Sequence, residues 1–363
     1  MIRARALPSV LSVVTALLVC FVAVALTRGG FGIALDAYGG MLWGAFGDWP
    51  RFFEGGNSGV LLRPLGEAGT KAAILSLTGL SVAVAFRVGL FNIGAQGQMM
   101  VGALTAAVCG ASVSLPGLLH VPLCLAAAAL GGALYALIAA ELKRRRGVHE
   151  VISTIMLNWI AVALIDNWLV VGPLRGVASG DNSMSGTDEV APTAILPLLL
   201  GPASRLNLGF ILALVLAVAL AVWLQRTRHG YEWRAVGLAP EAARAAGISV
   251  GRRMLEAMAV SGALAGLAGA VLVLGTEHKY PATLGAPYGF DGIAMALIGQ
   301  GHPLGVLASA GLFGALRAGG TRMQLFGVHK SFPELIQGLA LLLVAGKQIW
   351  EHLLSRLGKK GAG

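Results

Sequence analysis

The sequence predicts an all-α, polytopic helical transmembrane protein of about ten spans with broken or re-entrant helices, and three observations carry that reading. Hydrophobic residues fill 56% of the 363 positions and charged residues only 12%, a balance outside the range of water-soluble domains. Long apolar runs approach or exceed the roughly 20 residues that cross about 30 Å of hydrocarbon as a helix. None shows the period-two alternation of a barrel strand. The whole chain, 1–363, therefore reads as one transmembrane domain.

Spans are expected near 7–27, 68–87, 93–112, 118–140, 151–171, 208–225, 255–275, 288–300, 303–319 and 332–350. The first follows Arg3 and Arg5 and ends near an Ala23-Val24-Ala25 stretch that mimics a signal-peptide cleavage site. Its apolar run is too long for a signal core, so an uncleaved span is expected. The third is glycine-rich and the eighth short, and both are open to being broken or re-entrant.

Basic clusters set the orientation. Arg3 and Arg5, then Lys143 to Arg146, then the group from Arg226 through Arg253, then Arg356, Lys359 and Lys360 all fall between or beyond spans of one parity. Positive charge marks the cytoplasmic side, so both termini are expected inside and segments 28–67 and 172–207 on the opposite face. The net charge of +10 follows from these loops and calls for no nucleic acid. One loop conflicts: Arg317, Arg322 and Lys330 would lie outside.

Segment 36–53 carries Tyr38, Trp43 and Trp49 and is expected to lie as an interfacial helix. Segment 172–207, rich in Pro, Gly, Ser and Asp, reads as an ordered external loop, whether idle or facing a soluble partner. Gly262, Gly266 and Gly269 are expected to let helix backbones approach. Cys20, Cys109 and Cys124 lack metal or disulfide spacing and read as packing residues. A weak echo links GLFNIGAQGQ at 89–98 with GFDGIAMALIGQ at 289–300, as related halves of a transporter would show.

Functional chemistry concentrates in FRVGLFNIGAQGQMMVGA at 86–103, where Asn92, Gln96 and Gln98 sit among glycines at membrane depth. Amides there either glue helices together or line a wet cavity. As pathway residues Asn92, Gln96, Gln98 and Asn158 would offer a neutral, hydroxyl-rich cargo hydrogen bonds without fixed charge. Phe91 and Trp159 are candidates for stacking on a base or sugar face, although membrane aromatics more often serve packing. Asp291, at the start of the eighth segment, joins the pathway candidates, while Asp166 and Glu256 lie near span ends where water is accessible.

In HGYEWRAVGLAPEAARAAGISVGRR at 229–253, Pro240 opens a short helix over 241–246 and Gly247 ends it. So short a helix needs a surface to dock on. No G-x-x-x-x-G-K-[ST] sequence occurs, so the chain has no P-loop to hold nucleotide phosphates.

The phrases GLFNIGAQGQMMVGA (89–103), GVHEVISTIMLNWIAV (147–162), RAVGLAPEAARAAGIS (234–249) and GFDGIAMALIGQGHPLGV (289–306) together resemble permease subunits of ATP-binding-cassette importers, of the branch that takes up nucleosides and simple sugars. That resemblance implies a permease paired with an identical or homologous permease in the membrane lipid, two cytoplasmic ATPase subunits that hold ATP-Mg, and a periplasmic or lipoprotein substrate-binding protein. It implies that 229–253 is a coupling loop in which Glu241, Ala242, Ala243, Arg244 and Gly247 match an EAA-like core. Small Ala242 and Ala243 would allow close approach, and Glu241 and Arg244 would pair with ATPase charges. No catalytic residue, metal or bound cofactor is expected in this chain. Two rivals remain: an ion-coupled secondary transporter, which needs a charged group at mid-span, and an integral-membrane enzyme, which needs a catalytic constellation. Neither pattern is found in the sequence.

Overall fold

The computed structural model describes residues 2–28, 30–176, 186–284, 287–329 and 331–346. In chain order the helices are α1 (Ile2–Arg28), α2 (Phe31–Phe46), α3 (Trp49–Phe53), α4 (Gly59–Phe86), α5 (Ala95–Ser112), α6 (Gly117–Arg146) and α7 (Glu150–Ala161, continued by a π-helical stretch Val162–Leu169). Then follow α8 (Leu208–Arg226), α9 (Arg228–Leu238), α10 (Pro240–Ala245), α11 (Val250–Leu272, with a π-helical end Val273–Glu277), α12 (Tyr288–Ile298), α13 (Pro303–Met323) and α14 (Phe332–Ala345). Among the described residues six helices are long and apolar enough to cross a membrane: α1, α4, α6, α7, α8 and α11. They answer to six of the ten expected spans, and the fold is all-α and multi-spanning.

The centre is built from α4, α5, α6 and α11, and it is dense because small residues let backbones touch. A Cβ on Gly266 would run into the Ala128 carbonyl of α6, and one on Gly102 of α5 would run into Gly266 itself. Gly262 meets Gly132 and Ala136, and Gly269 meets the Met99 carbonyl. Without a hydrophobic drive between helices in lipid, such close approach supplies the dispersion energy that holds them. The three glycines expected to serve packing thus do so in one three-helix seam.

The third and eighth crossings are broken. After α4 the chain runs without helix from Arg87 to Gly94 and re-enters the bundle before α5 begins. α12 has 11 residues, about 16 Å of helix, roughly half of a hydrocarbon core. After α12 the chain turns at Gly299–His302 into α13. Gly292 abuts Thr78 of α4, eight residues or about 12 Å from the end of that helix, so α12 starts inside the bundle. Gly289 abuts the Gln96 backbone, so the first turns of α5 and α12 meet head to head. The first echoing sequence holds the break before α5, and the second is the short helix α12 with the start of its closing turn.

Two features go beyond the sequence reading. First, α2, whose Trp43 stays exposed as does Trp49 of α3, folds back on α1, where the Tyr38 hydroxyl donates to the Leu17 carbonyl at 2.9 Å, and it presses its Ala37, Gly40 and Gly44 face into the bundle. A Cβ on Gly44 would lie 2.9 Å from Gly319 of α13, so small residues draw α2 inward. Second, α13 continues past 319 to Met323, so Arg317 and Arg322 are helix residues. Arg317 pairs with Asp291 at 2.7 Å and Arg322 with Asp48 at 2.9 Å, which removes both from the loop that conflicted with the charge rule. Lys330 lies outside the described residues.

The seam yields a first test. Gly266→Leu should leave little monodisperse protein after detergent extraction, while Gly311→Ala, where an added methyl meets nothing within 4 Å, should match the parent in size-exclusion profile. A parental profile for Gly266→Leu would contradict the packing described.

Candidate functional site

The four amides singled out in the sequence come together in one buried network around the first break. None is more than 6% exposed. Asn92 and Gln98 pair through both groups: the Asn92 Nδ2 donates to Gln98 Oε1 at 2.8 Å and the Gln98 Nε2 returns a bond to Asn92 Oδ1 at 3.0 Å. Asn92 Nδ2 also donates to Ser261 Oγ of α11 at 2.8 Å, and Ser261 Oγ donates to the Ser81 carbonyl of α4 at 2.6 Å. Asn158 of α7 clamps the break from the side, accepting from Gly97 N–H at 2.8 Å and donating to the Ile93 carbonyl at 2.9 Å. Gln96 accepts from the Gly289 N–H at 2.8 Å and so ties α5 to the first turn of α12.

Each bond meets a need created by the broken backbone. A chain that leaves the helix at membrane depth frees N–H and C=O groups that lipid cannot satisfy, and an orphaned buried donor costs about 1–3 kcal/mol. Asn92 Oδ1 caps Gly94 N–H at 3.0 Å, and Gln96 and Asn158 do the same for Gly289 and Gly97. The amides face the interior of their own subunit and hold the two breaks in register.

Asp291 sits two residues beyond Gly289 but in a separate cluster. Its carboxylate pairs with Arg317 of α13 and accepts from Gln337 Nε2 of α14 at 2.8 Å, while Arg317 lies over the Tyr288 ring at 5.4 Å. Three helices are pinned by one intramembrane ion pair. Sequence reading missed Arg317 as a partner by counting it with Arg322 and Lys330 among the loop charges, although a carboxylate inside a span without a cation was itself a signal. Phe91 and Trp159 are not brought together: the Phe91 ring lies 5.1 Å from that of Phe86, and Trp159 projects from the exposed face of α7 at 67% exposure.

At the end of the bundle that carries Lys143–Arg146 and Arg226–Arg253, here the basic end, α9 and α10 form an elbow. Pro240 occupies the first turn of α10, Glu241 follows, and Gly247 takes φ +80°, a conformation that suits glycine. Ala242 and Gly247 are exposed, and Glu241 and Arg244 pair with each other at 2.6 Å on the surface. Ala243 is buried at 4% exposure, so it seats α10 on its own subunit and does not face outward as Ala242 does. Sequence reading did not find α9 as an anchor. Trp233 is fully buried edge-on against Trp223, and Glu232 bonds Arg228 at 2.9 Å and pairs with Arg253 of α11. Burial pushes the Glu232 carboxyl up, but Arg228 and Arg253 outweigh it and hold it below the usual carboxylate range.

The elbow touches the first break directly. Gly237 of α9 packs on the Arg87 carbonyl and Gly89 N, with no room for a Cβ, and the Arg87 guanidinium donates to the Gly301 carbonyl in the α12–α13 turn at 2.7 Å. The stretch 87–94 thus joins the exposed elbow to both broken helices. Among the described residues no group of three or more His, Cys, Asp or Glu side chains is placed to hold a metal.

Residues 66–345 match the family described as "Branched-chain amino acid transport system / permease component". The chain is 39% identical over 291 residues to the guanosine ABC transporter permease protein NupP of Bacillus subtilis, which covers 79% of this chain and 82% of that protein. It is 34% identical to the nucleoside ABC transporter permease protein NupB of Lactococcus lactis, over 81% of this chain and 82% of the relative, and 33% identical to the glucose ABC transporter permease protein TsgB13 of Haloferax volcanii, over 79% and 77%. No solved structure matches. With its multi-spanning helical fold and a match over most of its length, this chain belongs to the branched-chain amino acid transport system permease component family, a family of transport subunits and not of enzymes.

Proposed function

We propose that the chain is the permease subunit of an ATP-driven importer and passes nucleosides across a bacterial cytoplasmic membrane by alternating access. One observation carries this reading: the exposed α9–α10 elbow is packed on the stretch 87–94, which carries Asn92 and runs directly into α5, whose Gln96 bonds the first turn of α12. Force applied to the elbow has a short route to the centre of the bundle, through the packing of Gly237 on Arg87 and Gly89. The basic end is the cytoplasmic end, where paired ATPase subunits holding ATP-Mg push on α10, and residues 28–67 and 172–207 lie on the periplasmic side. A second permease completes the conduit, and a substrate-binding protein delivers cargo from outside. Nucleoside is preferred over simple sugar because two of the similar permeases bear nucleoside or guanosine in their names, against one that bears glucose.

In this scheme Ala242, Glu241, Arg244 and Gly247 form the face that meets the ATPase, and Ala243 sets how α10 rests on the bundle. Asn92, Gln96, Gln98 and Asn158 fix the geometry beside which cargo passes, with Asp291 holding α12 through Arg317 and Gln337. Trp159, exposed one residue after Asn158, would meet cargo or the second permease, while Phe91 packs on Phe86 within the subunit.

Two tests follow, both in complexes reconstituted with their ATPase and binding protein. Ala242→Arg should abolish labelled guanosine uptake, a drop of tenfold or more, with the permease still inserted and folded. Parental uptake would remove α10 from the coupling surface. Gln96→Leu, which strands the Gly289 N–H, should reduce guanosine and adenosine uptake by similar factors while the ATPase still co-purifies. A changed ratio between the two cargoes would instead make Gln96 a cargo contact, and unchanged uptake of both would deny the amide any part in transport.

A further inference from the structure

On the outside of the bundle α2 packs on both α1 and α13, and the three helices leave an apolar groove of about 370 Å³ between them. Leu17, Leu18 and Phe21 of α1, Leu42 and Phe46 of α2 and Leu316 of α13 shape it. Tyr38 brings the one hydroxyl among the lining side chains, and that group is spent on the Leu17 carbonyl, so the groove offers no free hydrogen-bonding group. Its rim is open, with Leu18 and Leu42 61% and 53% exposed. The α1 residues of the groove fall in the middle of the apolar span Pro8–Thr27, at membrane depth. Its α1 and α2 walls precede residue 66, where the family match begins.

An open apolar groove at this depth does not stay empty. Water gains nothing there, because no side chain offers it a hydrogen bond, and a void forfeits the dispersion contacts of the atoms that line it. The surrounding bilayer supplies hydrocarbon instead. A methylene takes about the room of a water molecule in the liquid, roughly 30 Å³, so the groove holds about a dozen carbons, one acyl chain and not a whole lipid. A second observation gives that acyl chain a headgroup. Past Phe46 the polypeptide turns at Gly47 into α3, whose exposed Trp49 and Phe53 are aromatic residues of the kind that settle among headgroups, and Arg51 between them has a side chain 73% exposed. Asp48 lies 3.6 Å from Arg51 but is held by Arg322 at 2.9 Å, which leaves the Arg51 fork available to a phosphate.

We propose that the groove holds one acyl chain of an anionic phospholipid whose phosphate rests on Arg51. Leu316 of the groove immediately precedes Arg317, the partner of Asp291 in α12, so a chain seated there steadies the turn of α13 that makes this ion pair and, through it, the second broken helix. The site itself requires only a membrane around the protein; its influence on transport rests on the importer reading.

Native mass spectrometry of the complete transporter, released from nanodiscs of equal phosphatidylglycerol and phosphatidylethanolamine, tests the site. The parent should carry one tightly held phospholipid per copy of this chain, enriched about fivefold in phosphatidylglycerol. Leu42→Trp, which fills the groove, should lose that lipid, whereas Leu35→Trp, on an exposed part of α2 outside the groove, should keep it. Arg51→Gln should keep a lipid without the preference for phosphatidylglycerol. A parent that holds no lipid, a Leu42→Trp variant that holds the parental lipid, or an unchanged preference in Arg51→Gln would each overturn the proposal. Should Leu42→Trp fail to fold, Leu18→Trp fills the groove from α1 and decides the same question. Guanosine uptake by the parent should run about threefold faster with phosphatidylglycerol in the nanodisc than without it. Equal rates would overturn the link from the groove to α13, and no uptake under either condition would remove the importer reading while the lipid count still decides the groove.

Discussion

The rest of the structure depends on the satisfaction of a broken backbone inside the membrane. Residues 90–94, buried or half-buried, run into the bundle without helix, and Asn92, Gln96 and Asn158 supply acceptors to Gly94, Gly289 and Gly97. This exchange of helix bonds for side-chain bonds lets α5 and α12 begin inside the bundle. The helices start head to head, and only glycine at 289 allows the contact. A continuous helix would be more stable, but it would fix one arrangement of the core. A junction held by a handful of side-chain bonds can have two.

From that junction, connections run both ways. Towards the basic end they pass through Arg87 and Gly89 to Gly237 and the α9–α10 elbow, which the Glu232–Arg253 pair and the Trp233–Trp223 contact fasten to the bundle. Towards the opposite end they pass along α12 to Asp291, then through Arg317 and Gln337 to α13 and α14. Around this route the glycine seam of α5, α6 and α11 forms a tightly packed block whose backbones are in contact and leave little freedom to slide. The contrast between a locked seam and a side-chain-bonded junction is the physical basis for assigning motion to the latter.

Much of this was legible in the sequence, and the failures have identifiable causes. Apolar length located α1, α4, α6, α7, α8 and α11, because crossing a membrane is a requirement on local sequence. The amides around 92–98 announced an irregular segment for the same reason, and the loose echo at 289–300 marked its partner. Residue type alone left both readings of those amides open: an amide that lines a pathway and one that caps a stranded N–H look alike until the neighbours are known. Arg317 escaped because arginine near the end of an apolar run reads as a loop charge, and its partner Asp291 lies 26 positions away. The inward turn of α2 escaped because Tyr38 and Trp43 suggest a headgroup interface, while the small face of Ala37, Gly40 and Gly44 has meaning only against α13. In α10 the sequence placed Pro240 and Gly247 correctly but could not tell Ala242 from Ala243, since which of two neighbouring alanines faces outward depends on how the short helix is seated.

The central claim is that the elbow and the two broken helices move as one mechanical unit through residues 87–94. Hydrogen exchange on the assembled transporter, measured with and without ATP trapped on the ATPase subunits, addresses it directly, because exchange reports opening of the backbone bonds that the amides cap. Peptides covering 92–98 and 287–292 should change protection together with those covering 237–247 when nucleotide binds. Altered exchange confined to 237–247, with both buried junction peptides unmoved, would contradict the account.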